Sequence, residues 1–357
     1  MAKRKRSKGR GRKSRSRAVS AKVGIVLSVL AVALGIAGEW FVHHPRQWVA
    51  ERCETWPGAL TAALLKVGNP LADLTDALDL TGHDAVYEYD IAAPAGSVSF
   101  AGLPVRKGAP APGDISIIDR GEFVIGWSAS LRHPVWCAYH VTKDAVHFDE
   151  RRPSFRKDRS CPSAPTPDEY RHSGFDRGHM APNYAILTRY GEEARLKTFF
   201  MSNIAPQSPA LNRGVWRDME HRIASLWTAA YGEIWVVVGC FTPTDGSIAH
   251  IGNTGIDIPQ QFYQVVIAQD GLNVRALATI FPQSIGWDAW AARGLISIDE
   301  LEQLTGLDFN PELPEFIQDP LEAELPSRLW PIRKQDVFRL ISLRFSAQDP
   351  AGREANR

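Results

Sequence analysis

The middle of the chain carries two kinds of hydrophobic pattern, and the first is the two-residue alternation of half-buried β-strands. Residues 114–131 and 134–143 alternate apolar and polar positions, and many of the apolar residues are β-branched or aromatic. This combination is typical of strands. Segments of similar composition predict further strands at 198–204, 233–241, 262–268 and 274–281.

The second pattern is a helical repeat between residues 211 and 232. Apolar side chains recur there at three- and four-residue steps, which places them on one face of an amphipathic helix. Gly232 is a typical stop signal for such a helix. The residues of the apolar face are Trp216, Met219, Ile223, Trp227 and Ala230.

A shorter helix is predicted at 297–306, because Ser297 followed by Glu300 forms a capping-box pattern. Strands and helices follow one another without the regular strand–helix–strand units of a parallel sheet, and the sequence contains no internal repeat. The order of elements therefore favours an α+β fold.

An apolar run near the N-terminus predicts a membrane anchor. The sixteen residues from Val23 to Gly38 contain no charge, and 23–42 matches the roughly 20 residues with which a helix crosses a bilayer. Trp40 and Phe41 fit the far membrane interface, where aromatic rings are favoured. Because the preceding segment is basic, we expect a single-pass protein with a cytoplasmic N-terminus and an extracytoplasmic body.

A cleaved signal peptide is the alternative interpretation, and it would leave the body secreted. The apolar region of signal peptides is shorter, about 7–15 residues. No Ala-x-Ala cleavage site follows the run, since Ala31-Val32-Ala33 lies inside it. Both interpretations place the body beyond the cytoplasm.

The net charge of +1 conceals a strong asymmetry along the chain. Residues 3–17 contain ten Lys and Arg residues, so residues 18–357 hold the other 31 against 40 acidic residues and carry −9. A net acidic body does not indicate general, tight binding of nucleic acid, so contact with a polyanion requires local positive charge. Hydrophobic residues make up 44% of the chain and charged residues 23%, as in globular proteins.

These patterns divide the chain into five segments. A Pro- and Gly-rich stretch separates the N-terminal part from the first clear strand, and the body ends shortly after the last predicted helix. The segments are a basic tail (1–22), the anchor or signal peptide (23–42), a connector with the start of the body (43–113), a body domain (114–310) and a C-terminal extension (311–357).

The four cysteines fit an exported chain, in which disulfides are permitted. Cys53, Cys137, Cys161 and Cys240 form no Cys-x-x-Cys pair, which argues against a zinc site. This spacing is compatible with a disulfide between Cys137 and Cys161, and it is equally compatible with buried free thiols.

The segment HSGFDRGHMAPNYA, 172–185, carries polar residues that packing alone does not explain. Arg177 and His179 flank Gly178 in a stretch that the sequence predicts to be a loop. The alternative is that His179 is a hydrogen-bonded core histidine and that Arg177 is an ordinary arginine beside it. A second polar cluster follows at short distance and consists of Asn203, Gln207, Asn212 and Glu220.

Helix geometry tests two members of this second cluster. Asn212 has a structural alternative as a helix N-cap, and Glu220 as a solvated carboxylate. Residues eight apart on a helix are separated by about 12 Å along the axis and rotated by roughly 80°, so the two side chains do not easily ligate one ion together. A hydrated Mg²⁺ bound by Asn212, with Glu220 holding one of its waters, does fit.

The motifs DRGH, SNIAPQ and LNRGVW, followed by a helix glutamate, resemble those of the DNA/RNA non-specific endonucleases, the endonuclease G-like ββα-metal nucleases. The segments FVIGWSASLRHPVWCAYHVTK, IPQQFYQVVI and ISIDELEQLTGLDF are similar to the same family. The resemblance covers residues 115–310 in the same order. It implies a ββα-metal core on a mixed, mainly antiparallel sheet with flanking helices.

The resemblance also implies a role for each site residue. His179 is the expected general base, and Arg177 is the expected phosphate clamp that stabilises the transition state. Asn212 is the expected direct protein ligand of Mg²⁺. Glu220 is expected to act through the waters of the ion, and Asn203 to support the site.

Other positions match the family less closely. A family arginine that binds substrate maps to Arg152, and Arg151 is a rival for the same role. Gln264 stands where the family often has Lys, and Gln283 stands where it often has Asn. These departures lie outside the proposed catalytic set, although loss of a lysine weakens attraction for a polyanion.

The function implied by the resemblance is metal-dependent, endonucleolytic hydrolysis of DNA and RNA with little sequence specificity. At its ordinary pKa of about 6.5, His179 takes a proton from the attacking water at neutral pH. Mg²⁺ is the expected cofactor, with Mn²⁺ or another divalent cation as a substitute.

Two alternatives to this function stay open. One is a catalytically inactive, membrane-anchored module of the same fold that binds nucleic acid. The other is a related nuclease of HNH type, but the additional metal-binding His or Asp residues of that type are not evident. A homodimer is compatible with the sequence, and no protein inhibitor or physiological role is indicated.

Overall fold

The structure is a computed structural model and describes residues 87–336, except 90, 92, 95, 144, 147–151, 245, 288 and 334–335. The predicted basic tail, the predicted anchor at 23–42 and Cys53 lie outside the described residues. Within the described part, no helix is both long enough and apolar enough to cross a membrane.

A large antiparallel sheet forms the centre of the described chain. The strands are β1 (Tyr87–Glu88), β2 (Val105–Arg106), β3 (Ile115–Asp119), β4 (Phe123–Ser128), β5 (His133–Val141), β6 (Asp176–His179), β7 (Ile204–Gln207), β8 (Glu233–Phe241), β9 (Gln261–Asp270), β10 (Asn273–Pro282), β11 (Leu295–Ile296) and β12 (Leu307–Asp308). The main sheet has the order β1-β10-β9-β8-β5-β4-β3, and β11 also pairs with β10. The α+β expectation is confirmed.

Helices lie beside this sheet. They are α1 (Asn183–Thr198), α2 (209–231), α3 (Ile298–Thr305) and α4 (Glu315–Ala323), with short 3₁₀ turns at Pro167–Tyr170, Met201–Asn203 and Ala291–Gly294. The long helix α2 includes two π-helical stretches, Asn212–Trp216 and Arg222–Trp227.

Neighbouring residues of β9 show how the two faces of the sheet are covered. Phe262 contacts Trp216 of α2, with ring centroids 5.8 Å apart. The next residue, Tyr263, contacts Phe309 at 5.4 Å in a cluster that includes Leu301 of α3. Because successive side chains of a strand point to opposite faces, α2 and α3 cover opposite sides of the sheet.

Both predicted helices form, and their caps are visible. Helix α2 begins after Ser208, whose hydroxyl accepts a hydrogen bond from the backbone N–H of Leu211 (3.3 Å), and it ends before Gly232, whose φ is 90°. Asn212 is therefore not the N-cap. Helix α3 begins after Ser297, whose hydroxyl accepts from Glu300 N–H (3.1 Å).

The predicted strand at 198–204 is wrong. Helix α1 continues to Thr198, a 3₁₀ turn occupies Met201–Asn203, and only Ile204 belongs to a strand. The apolar residues of this segment are buried by long-range packing, with Phe199 and Met201 fully inaccessible. A short apolar run does not by itself distinguish a strand from buried helical turns.

The DRGH motif also differs from expectation, because it forms strand β6 rather than a loop. It pairs antiparallel with β7 in a small separate sheet, and His179 lies opposite Ile204. Only glycine fits at position 178, because the side chain of the fully buried Gln207 lies against the backbone there. A Cβ at this position would lie 2.1 Å from the side-chain oxygen of Gln207.

The cysteines of the described chain do not pair. Cys137, Cys161 and Cys240 are buried free thiols, so the alternative of a bridge between the first two is wrong here. They pack as small apolar side chains in the interior.

Candidate active site

The imidazole of His179 lies in an aromatic pocket at the end of β6. Its ring centroid is 5.3 Å from that of Phe155 and 5.0 Å from that of Phe199, and within the described residues its Nε2 atom has no hydrogen-bond partner. Burial lowers the pKa of His179 to about 3, and the charge of Arg152 acts in the same direction. The expectation of an ordinary pKa is therefore wrong, and the ring is neutral at pH 7.

Asn203 supports the backbone that follows this histidine. Its Oδ1 atom accepts from the N–H of Ala181 (2.9 Å), and its Nδ2 atom donates to the carbonyl oxygens of Ala181 and Thr198 (both 3.0 Å). Its own carbonyl accepts from Met180 N–H (3.0 Å). All of these groups are buried, so Asn203 fixes the position of the chain next to His179.

Two guanidinium groups lie next to the same aromatic pocket. Arg177 is 5.4 Å from the ring of Phe155, and Arg152 is 5.7 Å from that ring and 5.5 Å from Phe199. Arg177 Nη2 donates to Pro167 O (2.8 Å), while its buried Nε finds no acceptor among the residues that the structure describes. Arg151 lies outside those residues, and Arg152 is exposed.

Asn212 lies in the first turns of α2 and reaches back to the DRGH strand. Its Nδ2 atom donates to Asp176 Oδ2 (2.9 Å), which leaves the carboxamide oxygen available as an acceptor or ligand. The same carboxylate receives two hydrogen bonds from Arg213, from Nε to Oδ2 (2.7 Å) and from Nη2 to Oδ1 (2.5 Å).

Glu220 is a half-buried residue two turns further along α2. Burial raises the pKa of its carboxyl group to about 8, while the Trp216 side chain and the charges of Arg217 and Arg152 oppose this shift. This environment differs from that of a freely solvated carboxylate. A nearby cation would favour the charged form of Glu220.

The structure brings the predicted residues into one region. Arg177 and His179 share a face of β6 because they are two residues apart. Arg152 interacts electrostatically with His179, Glu220 and Asp176, which links the strand to α2. The arrangement combines a neutral base, two guanidinium groups and a set of oxygen donors. Such donors suit a hard divalent cation.

Sequence reasoning missed Asp176 as a site residue, although the residue belongs to the DRGH motif. It also missed the aromatic residues Phe155 and Phe199. These contacts join residues that are distant in sequence, so only the folded chain shows them. Gln283 is structural, because its amide donates to Pro206 O (2.8 Å) and accepts from Ser208 N–H (2.7 Å) at the entrance to α2.

An acidic cluster outside this region consists of Asp299, Glu302 and Glu322. Glu302 accepts from Lys107 (3.2 Å) and from Phe309 N–H (2.9 Å), and Glu322 accepts from an asparagine amide (2.7 Å). Glu302 and Glu322 are therefore engaged by the protein itself, and none of the predicted site residues belongs to the cluster.

The chain is similar to known proteins over more than half of its length. Residues 104–316 match the DNA/RNA non-specific endonuclease family. The chain is 32% identical to mouse "Nuclease EXOG, mitochondrial" over 206 residues, covering 53% of this chain and 55% of that protein. It is 30% identical to bovine "Endonuclease G, mitochondrial" over 239 residues, covering 60% and 79% respectively. The chain thus spans about half the length of the mouse relative.

Two further likenesses concern a cyanobacterial protein and a solved structure. A protein of Nostoc named "Nuclease" is 28% identical over 228 residues, covering 59% of this chain and 79% of that protein. A crystal structure of an EndoG/EndoGI complex aligns with a TM-score of 0.51 and 24% identity over 57% of this chain and 89% of that chain. This last likeness confirms the fold of a mixed, mainly antiparallel sheet with helices.

Proposed function

Because the chain belongs to the DNA/RNA non-specific endonuclease family, we propose that it hydrolyses DNA and RNA endonucleolytically with little sequence specificity and depends on a divalent cation. The observation that carries the proposal is the neutral, buried imidazole of His179 beside the guanidinium groups of Arg177 and Arg152. A neutral imidazole accepts a proton, and guanidinium groups bind phosphate.

His179 acts as the general base in this proposal. Its unpartnered Nε2 atom accepts the proton of a water that attacks phosphorus. The rings of Phe155 and Phe199 fix the imidazole and exclude bulk water from its faces. The low pKa keeps the ring unprotonated at neutral pH, and it also makes the ring a weak base, so transition-state charge must be stabilised by neighbouring groups.

Arg177 and Arg152 supply part of that stabilisation. Their guanidinium groups hold the non-bridging phosphate oxygens on which negative charge develops. Phosphate and sugar are common to all sequences, so a site that contacts only the backbone does not read bases. This property accounts for low sequence specificity and for activity on both DNA and RNA.

Asn212 and Glu220 fit a divalent cation. The free carboxamide oxygen of Asn212 is a hard oxygen ligand, which Mg²⁺ prefers and which Mn²⁺ also accepts, and the carboxyl group of Glu220 would hold one of the waters of the ion. A cation bound there supplies Lewis-acid stabilisation of the phosphate. Asn212 adds no charge of its own and so leaves the positive charge of the ion undiminished.

Digestion of supercoiled plasmid and of RNA by the full chain tests the proposal. We expect cleavage with Mg²⁺, none with excess EDTA, and a loss of at least about 100-fold in His179→Ala, since general-base catalysis contributes about 10²–10⁴-fold. His172→Ala is a matched control in the same segment and should retain activity. Binding of nucleic acid without any cleavage by the unaltered protein would instead favour the inactive binding module.

The location of the protein is a separate part of the proposal. The uncharged run and the basic tail of the sequence support a single-pass anchor at 23–42 with the nuclease domain outside the cytoplasm. A reporter fused to the C-terminus should be active only outside the cytoplasm. Recovery of the reporter from the medium would indicate signal-peptide cleavage, and cytoplasmic activity would contradict both alternatives.

A further inference from the structure

The carboxylate of Asp176 accepts three hydrogen bonds from two side chains at the start of α2. Asn212 Nδ2 and Arg213 Nε both donate to Oδ2, at 2.9 and 2.7 Å, and Arg213 Nη2 donates to Oδ1 at 2.5 Å. Asp176 itself lies opposite Gln207 in the β6–β7 pairing. The carboxylate thus joins the strand that carries His179 to the helix turn that carries Asn212.

This contact determines which end of the Asn212 carboxamide faces away from the strand. A carboxylate only accepts hydrogen bonds, so it pairs with the NH₂ group and not with the carbonyl oxygen. The carbonyl oxygen then points away from Asp176. Reversal of the amide would place two acceptors against each other, which is unfavourable in a partly buried site.

Arg213 competes with a cation for the carboxylate of Asp176. Its guanidinium group pairs with both oxygens in the bidentate geometry that makes such ion pairs strong and directional. The ion pair also neutralises the charge of the carboxylate. A cation near Asn212 therefore meets a neutral oxygen donor instead of a second anion.

We infer that Asp176, supported by Arg213, is a positioning residue that orients the carboxamide oxygen of Asn212 toward a divalent cation. The inference rests on the proposed function, because it assigns Asn212 to the cation. Partners that orient metal ligands typically change metal affinity or activity 10–100-fold when they are removed. Asp176 acts entirely through Asn212, so its effect must vanish when Asn212 is absent.

A double-mutant cycle on the full chain tests this inference, with Mn²⁺ binding measured by electron paramagnetic resonance. We expect Asp176→Ala to weaken Mn²⁺ affinity 10–100-fold and to raise the Mg²⁺ concentration that gives half-maximal plasmid cleavage by a similar factor. In the background of Asn212→Ala, Asp176→Ala should produce no further loss of Mn²⁺ affinity.

Glu122→Gln is the matched control. It removes a comparably exposed ion pair, with Lys197 at 2.7 Å, that does not involve Asn212. This variant should lose stability without a change in Mn²⁺ affinity. If Asp176→Ala does not fold, Asp176→Asn carries the same test, because it keeps the shape of the side chain but no longer accepts at both oxygens.

The outcomes separate this inference from the proposed function. Unchanged Mn²⁺ affinity in the Asp176 variant, or an equal loss in the Asn212→Ala background, would overturn the positioning role. If the unaltered protein neither binds Mn²⁺ nor cleaves nucleic acid, the proposed function itself fails. Cleavage and Mn²⁺ binding that depend on Asn212 but not on Asp176 would leave the function intact and remove only the inference.

Discussion

His179 illustrates how a residue's surroundings set its chemistry. Its sequence context, a histidine between glycine and methionine, contains nothing that predicts a pKa of about 3. The shift comes mainly from burial between Phe155 and Phe199, because an imidazolium ion in an apolar pocket loses its hydration. The imidazole is thus unprotonated at physiological pH. In the proposed reaction, the neighbouring guanidinium groups stabilise the negative charge that develops on the phosphate.

We expect the His179 ring of the folded, metal-free protein to show no titration between pH 5 and 8. The measurement is an NMR titration of the imidazole signals, assigned by comparison with His179→Ala. In urea the same ring should titrate near the ordinary value of about 6.5. A midpoint near 6.5 in the folded protein would contradict the pocket described here.

The same shift affects stability. The folded pKa lies below the unfolded one, so the unfolded chain takes up the proton first as the pH falls. His179 therefore lowers the free energy of unfolding as the pH decreases from about 6.5 toward 3.

At the scale of elements, the paired strands β6 and β7 and the first turns of α2 form the frame of the site. Strand β6 carries Arg177 and His179, and Asn203 binds the backbone that follows this strand. Asp176 connects β6 to α2. No single described element contains a complete catalytic set, so the relative position of strand and helix determines whether the residues act together.

Gly178→Ala tests the close packing between β6 and β7. The added methyl group would meet the side chain of the buried Gln207, and overpacking of this kind typically costs about 1–3 kcal/mol. We expect a lower free energy of unfolding in urea and a reduced rate of plasmid cleavage. Gly113→Ala is the control, because a Cβ there meets no atom within 4 Å. Equal effects of the two substitutions would contradict the packing argument.

At the scale of the whole molecule, the main sheet separates the region of the candidate site from a region that contributes to packing. The face covered by α2 belongs to the candidate site, and the opposite face packs on α3 and Phe309. Near α3 and α4, buried carboxyl groups carry an electrostatic cost. Burial raises the pKa of Glu322 to about 7, and the charge of Glu302 adds to the shift, while a hydrogen bond from Asn310 opposes it.

Glu322→Gln should therefore flatten the dependence of stability on pH. The folded pKa exceeds the unfolded value, so the folded protein binds more protons and stability falls as the pH rises from about 4.5 through 7. The substitution should remove this loss, which amounts to about 3 kcal/mol for a shift of this size. Urea unfolding at pH 5 and pH 8 measures it.

Glu315→Gln, at an exposed residue of the same helix, is the control for replacing a glutamate by glutamine in α4. A pH dependence that is equally steep in Glu322→Gln and the unaltered protein would contradict the assignment. Glu220 contributes in the same direction, so some dependence should persist in the variant.

Much of the fold follows from local pattern. The long strands β3–β5 and β8–β10 of the main sheet, the helix after Ser208 and the cap at Ser297 are specified by residues close in sequence. The prediction of a strand at 198–204 is wrong because the apolar residues of this segment are buried by distant parts of the chain. Period and capping are local properties, whereas burial is not.

For the site, the sequence by itself determined the set of residue types, since DRGH and the ordered motifs that follow it identify the family. Only the tertiary structure decided how these residues meet. It pairs β6 with a strand that lies 25 to 31 positions away, buries His179 among aromatic rings, and joins Asp176 to Asn212. The physical reason is that a protonation state and the orientation of an amide depend on desolvation and on hydrogen-bond partners, and the chain supplies both only after it has folded.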